Sequence, residues 1–218
     1  REGLKPERYE LRMSAPAPLV PRRLRLPLRE RLRADGRVEV PLDPASLDAA
    51  IAALRAEAVE AVAICLLHSW RDPRHERAAA AAVQAALPDA YVTQSAEVLP
   101  QIKEFERFST TVVNAAVGPV VGRYLGRLQA RLEAAGFHGP LFVILSHGGV
   151  APVEEAQRLA AGTALSGPAG GVAAALALAR AGLGWDLVTF DVGGTSTDVA
   201  LVAGGEAALG RGRVVGGE

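Results

Sequence analysis

The chain has 218 residues, half of them apolar and 22% charged, with 24 basic and 24 acidic side chains. That length suits one large domain or two small ones, and the apolar content excludes a disordered tail. A net charge of zero leaves no basic excess to draw the chain onto nucleic acid or an anionic membrane.

Cys65 is the only cysteine, which excludes an internal disulfide and a cysteine-based zinc site and points to a cytoplasmic protein. No apolar run approaches the roughly 20 residues needed to span a bilayer, and "REGLKPERYE" at the start has no signal-peptide core. Met13 is the only methionine and the chain closes on "GRVVGGE". Both ends read as cut, so a piece of a longer protein is expected.

From Arg22 to Leu32 apolar and charged residues alternate with the period of a half-exposed strand, "ADGR" turns the chain, and "VEVPL" returns. Asp43 and Pro44 form an N-cap and first-turn pair that opens a helix through "ASLDAAIAALRAEA". "AVAICLLH" reads as a buried strand in which Cys65 is inert packing. Asp72-Pro73 repeats the cap before an alanine-rich helix that Pro88 ends, and "YVTQS" is another strand. Two helix–strand units in succession predict a parallel or mixed sheet covered by helices.

From Ile102 the pattern is helical, with an interruption expected at Gly118-Pro119 and a C-cap at Gly136. "PLFVILS" is a buried strand ending at the loop "HGGVAP", and a helix starts near Val153. "LSGPAGGVAAALALARAG" is a helix of small residues that allows close backbone packing. Strands Leu187–Val192 and Thr197–Val202 complete the chain. The change of character near residues 96 to 104 is the best internal boundary, dividing the chain into 1–100 and 101–218.

The two last strands meet in "TFDVGGTSTDVALV", where Asp191 precedes a glycine pair and Asp198 follows three hydroxyls. Glycines allow a ligand close to the backbone, successive N–H groups suit an anion, and Thr195, Ser196 and Thr197 add hydroxyl donors. Asp191 could hold magnesium or its waters, which in turn neutralise phosphate. The stretch is neither a Walker A loop nor a Rossmann fingerprint, because a strand follows the glycines. On these residues alone, a metal-bound phosphate loop and a decorated hairpin turn stand even.

The other candidates have plainer readings beside them. Lys103, Glu104, Glu106 and Arg107 lie within a turn and a half of helix, which reads as a solvated face. His68 and His75 flank "SWRDPR" with Asp72, but the spacing fits no zinc pattern, and a structured loop, with Trp70 at a subunit contact, explains them better. His147 is a polar loop residue with a titratable ring.

"FDVGGTSTDVAL" resembles the second phosphate loop of the actin, sugar kinase and Hsp70 ATPase superfamily, and more narrowly that of the hydantoinase/oxoprolinase A-subunit family. The blocks "PLVPRRLRL", "AVAICLLHSWRDPRHE", "EVLPQIKEFERFSTTVVNAAVGPVVGRYLGRL", "LSHGGV" and "LSGPAGGVAAA" resemble that family's in the same order. His147 stands where the family usually has asparagine. The family's first phosphate loop is not present in this chain.

The resemblance implies an α/β, actin-like (ribonuclease H-like) ATPase fold with a mixed sheet and flanking helices, incomplete because both ends are truncated. Residues 1–100 would be the α/β portion after a missing first phosphate-loop domain, and 101–218 the portion with a helical segment and the second loop. It implies the ATP-binding A subunit of an enzyme that phosphorylates and then hydrolyses a cyclic amide of hydantoin or 5-oxoproline type, with this fragment inactive alone. The alternatives are an ATP-dependent ketone carboxylase subunit and a non-enzymatic, actin- or chaperone-like ATPase module. ATP and Mg2+, or another divalent metal, are the implied cofactors. A hydantoinase B-type subunit and a cyclic amide or ketone are the implied partners, within an oligomer of the full-length protein. Asp191 and Asp198 would be catalytic, with Asp191 on the metal. Gly193, Gly194, Thr195 and Ser196, with Gly167 and Gly170, would bind the cofactor. His147, Gly148, Gly149, Glu104 and Arg107 are candidates for the cleft.

Overall fold

The computed structural model describes residues 18–194 and 197–207. The alternation from Arg22 is only partly strand. Arg22–Leu24 form a 3-10 turn, and pairing is confined to β1 (Arg31–Leu32) and β2 (Val38–Val40), antiparallel around the expected turn. Leu26 and Leu28 turn inward onto the core without joining the ladder. Alternation sets two faces, and pairing additionally needs a neighbour.

α1 (Pro44–Ala56) starts as its sequence dictates: the Asp43 carboxylate accepts the Ser46 N–H at 3.2 Å, and Pro44 takes the first helical position. The Ser46 hydroxyl then accepts from Arg29 N at 3.0 Å, which ties the N-terminal stretch to the helix. β3 (Ala61–Ile64), α2 (Arg74–Ala86) and β4 (Tyr91–Gln94) form the expected parallel unit, in register from Ala61↔Tyr91 to Ile64↔Gln94. Leu47, Leu54, Val62, Ile64, Ala79 and Val83 are buried together between α1, α2 and β3.

After the short α3 (Ser95–Val98) comes α4 (Glu104–Ala134), and here the expected interruption is absent: 31 residues run through Gly118-Pro119 as one helix. An internal proline costs about 3 kcal/mol. Helix faces on both sides of it are buried, at Arg107, Thr111, Asn114, Ala115 and Gly118 before it and at Leu125 after it, and this burial outweighs the cost. Gly136, at φ 87°, ends the helix as expected.

Gly118 has a steric task. A methyl group there would run into the ring of Tyr91, whose hydroxyl is fixed 2.8 Å from the carbonyls of both Gln157 and Arg158. Gly118→Ala is therefore expected to destabilise by about 1–3 kcal/mol through overpacking, although alanine is the better helix former by about 1 kcal/mol. Thermal unfolding of the intact protein measures this, and a raised Tm would contradict the steric account.

β5 (Phe142–Ile144) and β6 (Val150–Pro152) form an antiparallel hairpin, followed by α5 (Val153–Arg158) and a 3-10 turn at Ala160–Thr163. β5 is not the buried strand its apolar run suggested: Val143 packs on the core, but the face of Phe142, 55% exposed, and Ile144 is covered only in part. Leu125, Leu145, Ala151, Val153 and Ala156 make a second small core. α6 (Ser166–Leu178) buries none of its side chains fully; of its glycines only Gly170 is approached closely, by Ile144. β7 (Leu187–Val192), β8 (Thr197–Ala203) and β9 (Glu206–Ala207) form an antiparallel sheet. Among the described residues no helix is long and apolar enough to cross a membrane.

Candidate functional site

The β7–β8 hairpin has the expected strand–turn–strand form, and its register adds a fact that spacing alone did not give. Asp191 is the direct cross-strand partner of Asp198, and Val192 is that of Thr197, so the chain reverses between Val192 and Thr197. Thr195 and Ser196 lie outside the described residues. Directly opposed residues on antiparallel strands hold their Cβ atoms about 4.5–5.5 Å apart, and like charges there destabilise the sheet. Asp191 is exposed and Asp198 half-buried. A side chain on Gly194 would meet nothing within 4 Å, so Gly194 faces open space.

Two further elements stand beside this hairpin. α6, which carries Gly167 and Gly170, packs on β7 and β8. The β5–β6 loop, which carries His147, Gly148 and Gly149, lies against α6: a methyl on Gly148 would sit 3.9 Å from Ala169 O and 4.0 Å from Ala173 Cβ. Gly148 is in the left-handed region at φ 83°, and the His147 ring turns back on its own loop, its Nδ1 accepting from Gly149 N at 3.1 Å. The structure thus gathers Asp191, Asp198, Gly193, Gly194, Gly167, Gly170 and the 147–149 loop into adjoining elements.

Glu104 and Arg107 are elsewhere, on the first turns of α4 against α3 and the β3–β4 pair. The solvated-face reading fails at Arg107, which is fully buried. Its Nε donates to Ser95 Oγ at 3.2 Å, its Nη1 to Gln101 O at 2.7 Å and its Nη2 to Leu66 O at 3.1 Å. The guanidinium is spent on the interior and faces no cleft.

The anion that accompanies it is Glu76, equally buried. Its Oε1 accepts from Leu66 N and from Ser95 Oγ, each at 2.7 Å, and its Oε2 accepts from Ala96 N at 2.8 Å. Since Ser95 donates its one proton to Glu76, Ser69 must donate to Ser95 across their 3.1 Å contact. Burial, then the nearby Glu76, pushes the Cys65 thiol up to about 12 against the pull of Thr111 and Arg107. The thiol therefore stays protonated and inert at neutral pH.

Asn114, two turns further along α4, was missed by sequence reasoning. Its Nδ2 shares two hydrogens among Thr93 Oγ1 at 2.9 Å, Tyr91 Oη at 3.0 Å and Arg158 O at 3.0 Å, while its Oδ1 accepts from Ala161 N at 2.8 Å. The signal was present: Arg107, Thr111, Asn114 and Gly118 recur at helical spacing on one face, and all four are buried. His75, in the first turn of α2, places Nδ1 2.8 Å from Glu30 Oε2 in a buried pair, and His68 occupies a loop position at φ 61°.

Two hollows among the described residues lie away from the hairpin. One, of about 500 Å³, lies between the end of α4 and the β5–β6 hairpin beside Gln129 and Phe137; the other, of about 740 Å³, lies along β1. The hairpin contributes an exposed wall, so its candidacy rests on its own chemistry. Among the described residues no three His, Cys, Asp or Glu side chains converge as a metal cage. Magnesium does not need one, since one or two carboxylates with waters and phosphate oxygens complete its shell. The oxygen-only donors at Asp191 and Asp198 fit such an ion.

These elements define a mixed α/β protein with a glycine-turn hairpin flanked by opposed carboxylates. The sequence matches the hydantoinase/oxoprolinase N-terminal region over residues 1–87 and the hydantoinase/oxoprolinase profile over residues 107–217, and the chain belongs to that family. It is 44% identical over 199 residues to caprolactamase subunit alpha of Pseudomonas jessenii, which covers 91% of this chain and 28% of that protein. The crystal structure of ATP-dependent caprolactamase from the same organism superimposes with a TM-score of 0.75 at 40% identity, over 91% of this chain and 29% of that one. Nucleotide-free acetone carboxylase, solved for the mechanism of ATP-dependent acetone carboxylation, gives a TM-score of 0.72 at 31% identity, over 82% of this chain and 26% of that one. The chain therefore spans under a third of the length of these relatives.

Proposed function

We propose that the whole protein is the ATP-binding subunit of an ATP-dependent cyclic amidohydrolase. The observation that carries this reading is the register of Asp191 against Asp198 at the mouth of the Gly193-Gly194 turn. Carboxylates opposed in this way repel, and a cation held at the turn relieves that repulsion. The chemistry a bound magnesium supplies is charge neutralisation on phosphate oxygens. In this reading Asp191 holds the ion, Asp198 orients its waters or braces the loop, and the backbone N–H groups of residues 193–195 receive phosphate.

A lactam carbonyl is stabilised by resonance and resists water. Transfer of the γ-phosphoryl group to the amide oxygen, with ADP leaving, makes that carbon electrophilic. Hydrolysis then opens the ring and releases phosphate. The chain's own contribution is positioning and electrostatic stabilisation of the transferring group. The same reading extends to an actin-like ATPase fold, to a partner subunit of hydantoinase B type, to a cytoplasmic oligomer, and to a division of the chain near residue 100. The subunit names of the relatives support the partner, and the change from the β3–α2–β4 unit to the long helix supports the division.

The likeness to acetone carboxylase favours a second reading, in which the phosphorylated group is a ketone and the product is carboxylated. Incubating the intact protein and its partner with ATP and a panel of lactams, hydantoins and ketones separates the two. A ring-opened amino acid supports the first reading and a β-keto acid the second. Phosphate release without organic product would leave an ATPase module that only moves its lobes.

A further inference from the structure

We propose that Asn114 is a positioning residue for the His147–Gly149 loop, acting through the 3-10 turn at Ala160–Thr163. The inference rests on the reading above, in which that loop stands beside the phosphate-binding hairpin. Asn114 is fully buried in α4, and its amide grips both ends of the segment that leads into the turn: Nδ2 donates to Arg158 O at 3.0 Å, and Oδ1 accepts from Ala161 N at 2.8 Å. Tyr91 adds a second grip, its hydroxyl lying 2.8 Å from Gln157 O and Arg158 O.

One residue beyond this clamp, Gly162 O accepts the N–H of Ser146 at 2.7 Å. The remaining bonds of the loop stay within it: Leu145 N to Gly149 O and Gly148 N to Leu145 O, each at 2.8 Å, and Gly149 N to His147 Nδ1. The β5–β6 ladder holds the ends of the loop, and among the described residues the Ser146 bond is the backbone tie from its interior to the 3-10 turn. A turn of four residues has little stability of its own. What fixes Gly162, and through it the loop against α6, is the interior amide of Asn114. No other side chain offers an acceptor and paired donors in that volume: Asp would bring a charge, and Leu would leave Ala161 N–H unpaired and Arg158 C=O with the Tyr91 hydroxyl alone.

The test uses the intact protein with two variants and one control. Asn114→Leu removes both ends of the grip, and Asn114→Asp keeps an acceptor for Ala161 N–H. Thr111→Val, also fully buried, loses a bond to Arg107 O one turn earlier and makes no hydrogen bond to residues 158–163, so it reports general damage to the helix. Amide exchange at residues 145–149 is expected to rise about tenfold in Asn114→Leu, less in Asn114→Asp, and no more than global stability requires in Thr111→Val. Titration calorimetry with Mg-ATP should show about tenfold weaker binding in Asn114→Leu at unchanged stoichiometry. A merely structural role would lower the bound fraction and leave Kd alone. Loop exchange in Asn114→Leu that matches Thr111→Val overturns the proposal, as does lowered stoichiometry at parent Kd. Should the parent protein bind no Mg-ATP, the nucleotide reading fails, and the exchange measurement alone decides the coupling.

Discussion

Arg107→Leu is expected to lower stability by about 3–5 kcal/mol, the range for leaving a buried charge uncompensated; that charge is Glu76, which Arg107 reaches through Ser95 Oγ. Leucine fills much of the volume but removes every donor now spent on Ser95, Gln101 and Leu66. It also leaves Glu76 as a buried anion without the cation that reaches it through Ser95. Arg107→Lys should recover little, because an ammonium on a flexible stem cannot span acceptors presented by three separate segments. Removing the anion as well, in the double variant with Glu76→Leu, should restore part of the loss, and that cycle isolates the coupling. Thermal unfolding of the intact protein is the measurement. A loss under about 1 kcal/mol would mean that this buried network holds no more than an exposed ion pair does.

Under the proposed function, Asp191→Asn is expected to cut turnover of the intact protein by about two to three orders of magnitude, the size of effect seen when one preorganised electrostatic group is lost. KM for ATP should move much less, since the lost interaction matters most as charge develops. The stability expectation runs the other way. A neutral amide in place of the Asp191 carboxylate would relieve the repulsion across the Asp191–Asp198 pair, so Tm should hold or rise slightly. A group that costs stability and supports rate belongs to the chemistry. Near-parent turnover would remove Asp191 from it, and a large fall in Tm would show the residue to be a brace for the hairpin.

Local chemistry was legible in the sequence wherever neighbours in the chain decide it. The Asp43-Pro44 start of α1, the Gly136 end of α4 and the glycine turn between β7 and β8 stand as read, because a cap or turn is satisfied within a few residues. What escaped was decided at a distance. Pro119 reads as a break, yet two packed surfaces carry α4 through it. Phe142 and Ile144 read as core, but on their side of β5 only α6, over Ile144, gives partial cover. Arg107 reads as solvent-facing because charge usually is; its acceptors come from segments up to 41 residues away, and no window around it contains them. The cross-strand pairing of Asp191 with Asp198 was not read either, since register depends on how many residues the turn consumes.

α4 has a consequence for how this chain can vary. At about 1.5 Å and 100° per residue, the helix works as a ruler with two fixed marks, Asn114 against Tyr91 and Arg158 at one end and Leu125 in the second core at the other. Inserting a single residue between those marks would swing one core around the other by more than a quarter turn, and no side-chain adjustment could absorb it. Length changes should therefore collect in the loop after Gly136, while the span from Arg107 to Leu125 keeps its count of residues even where their identities drift.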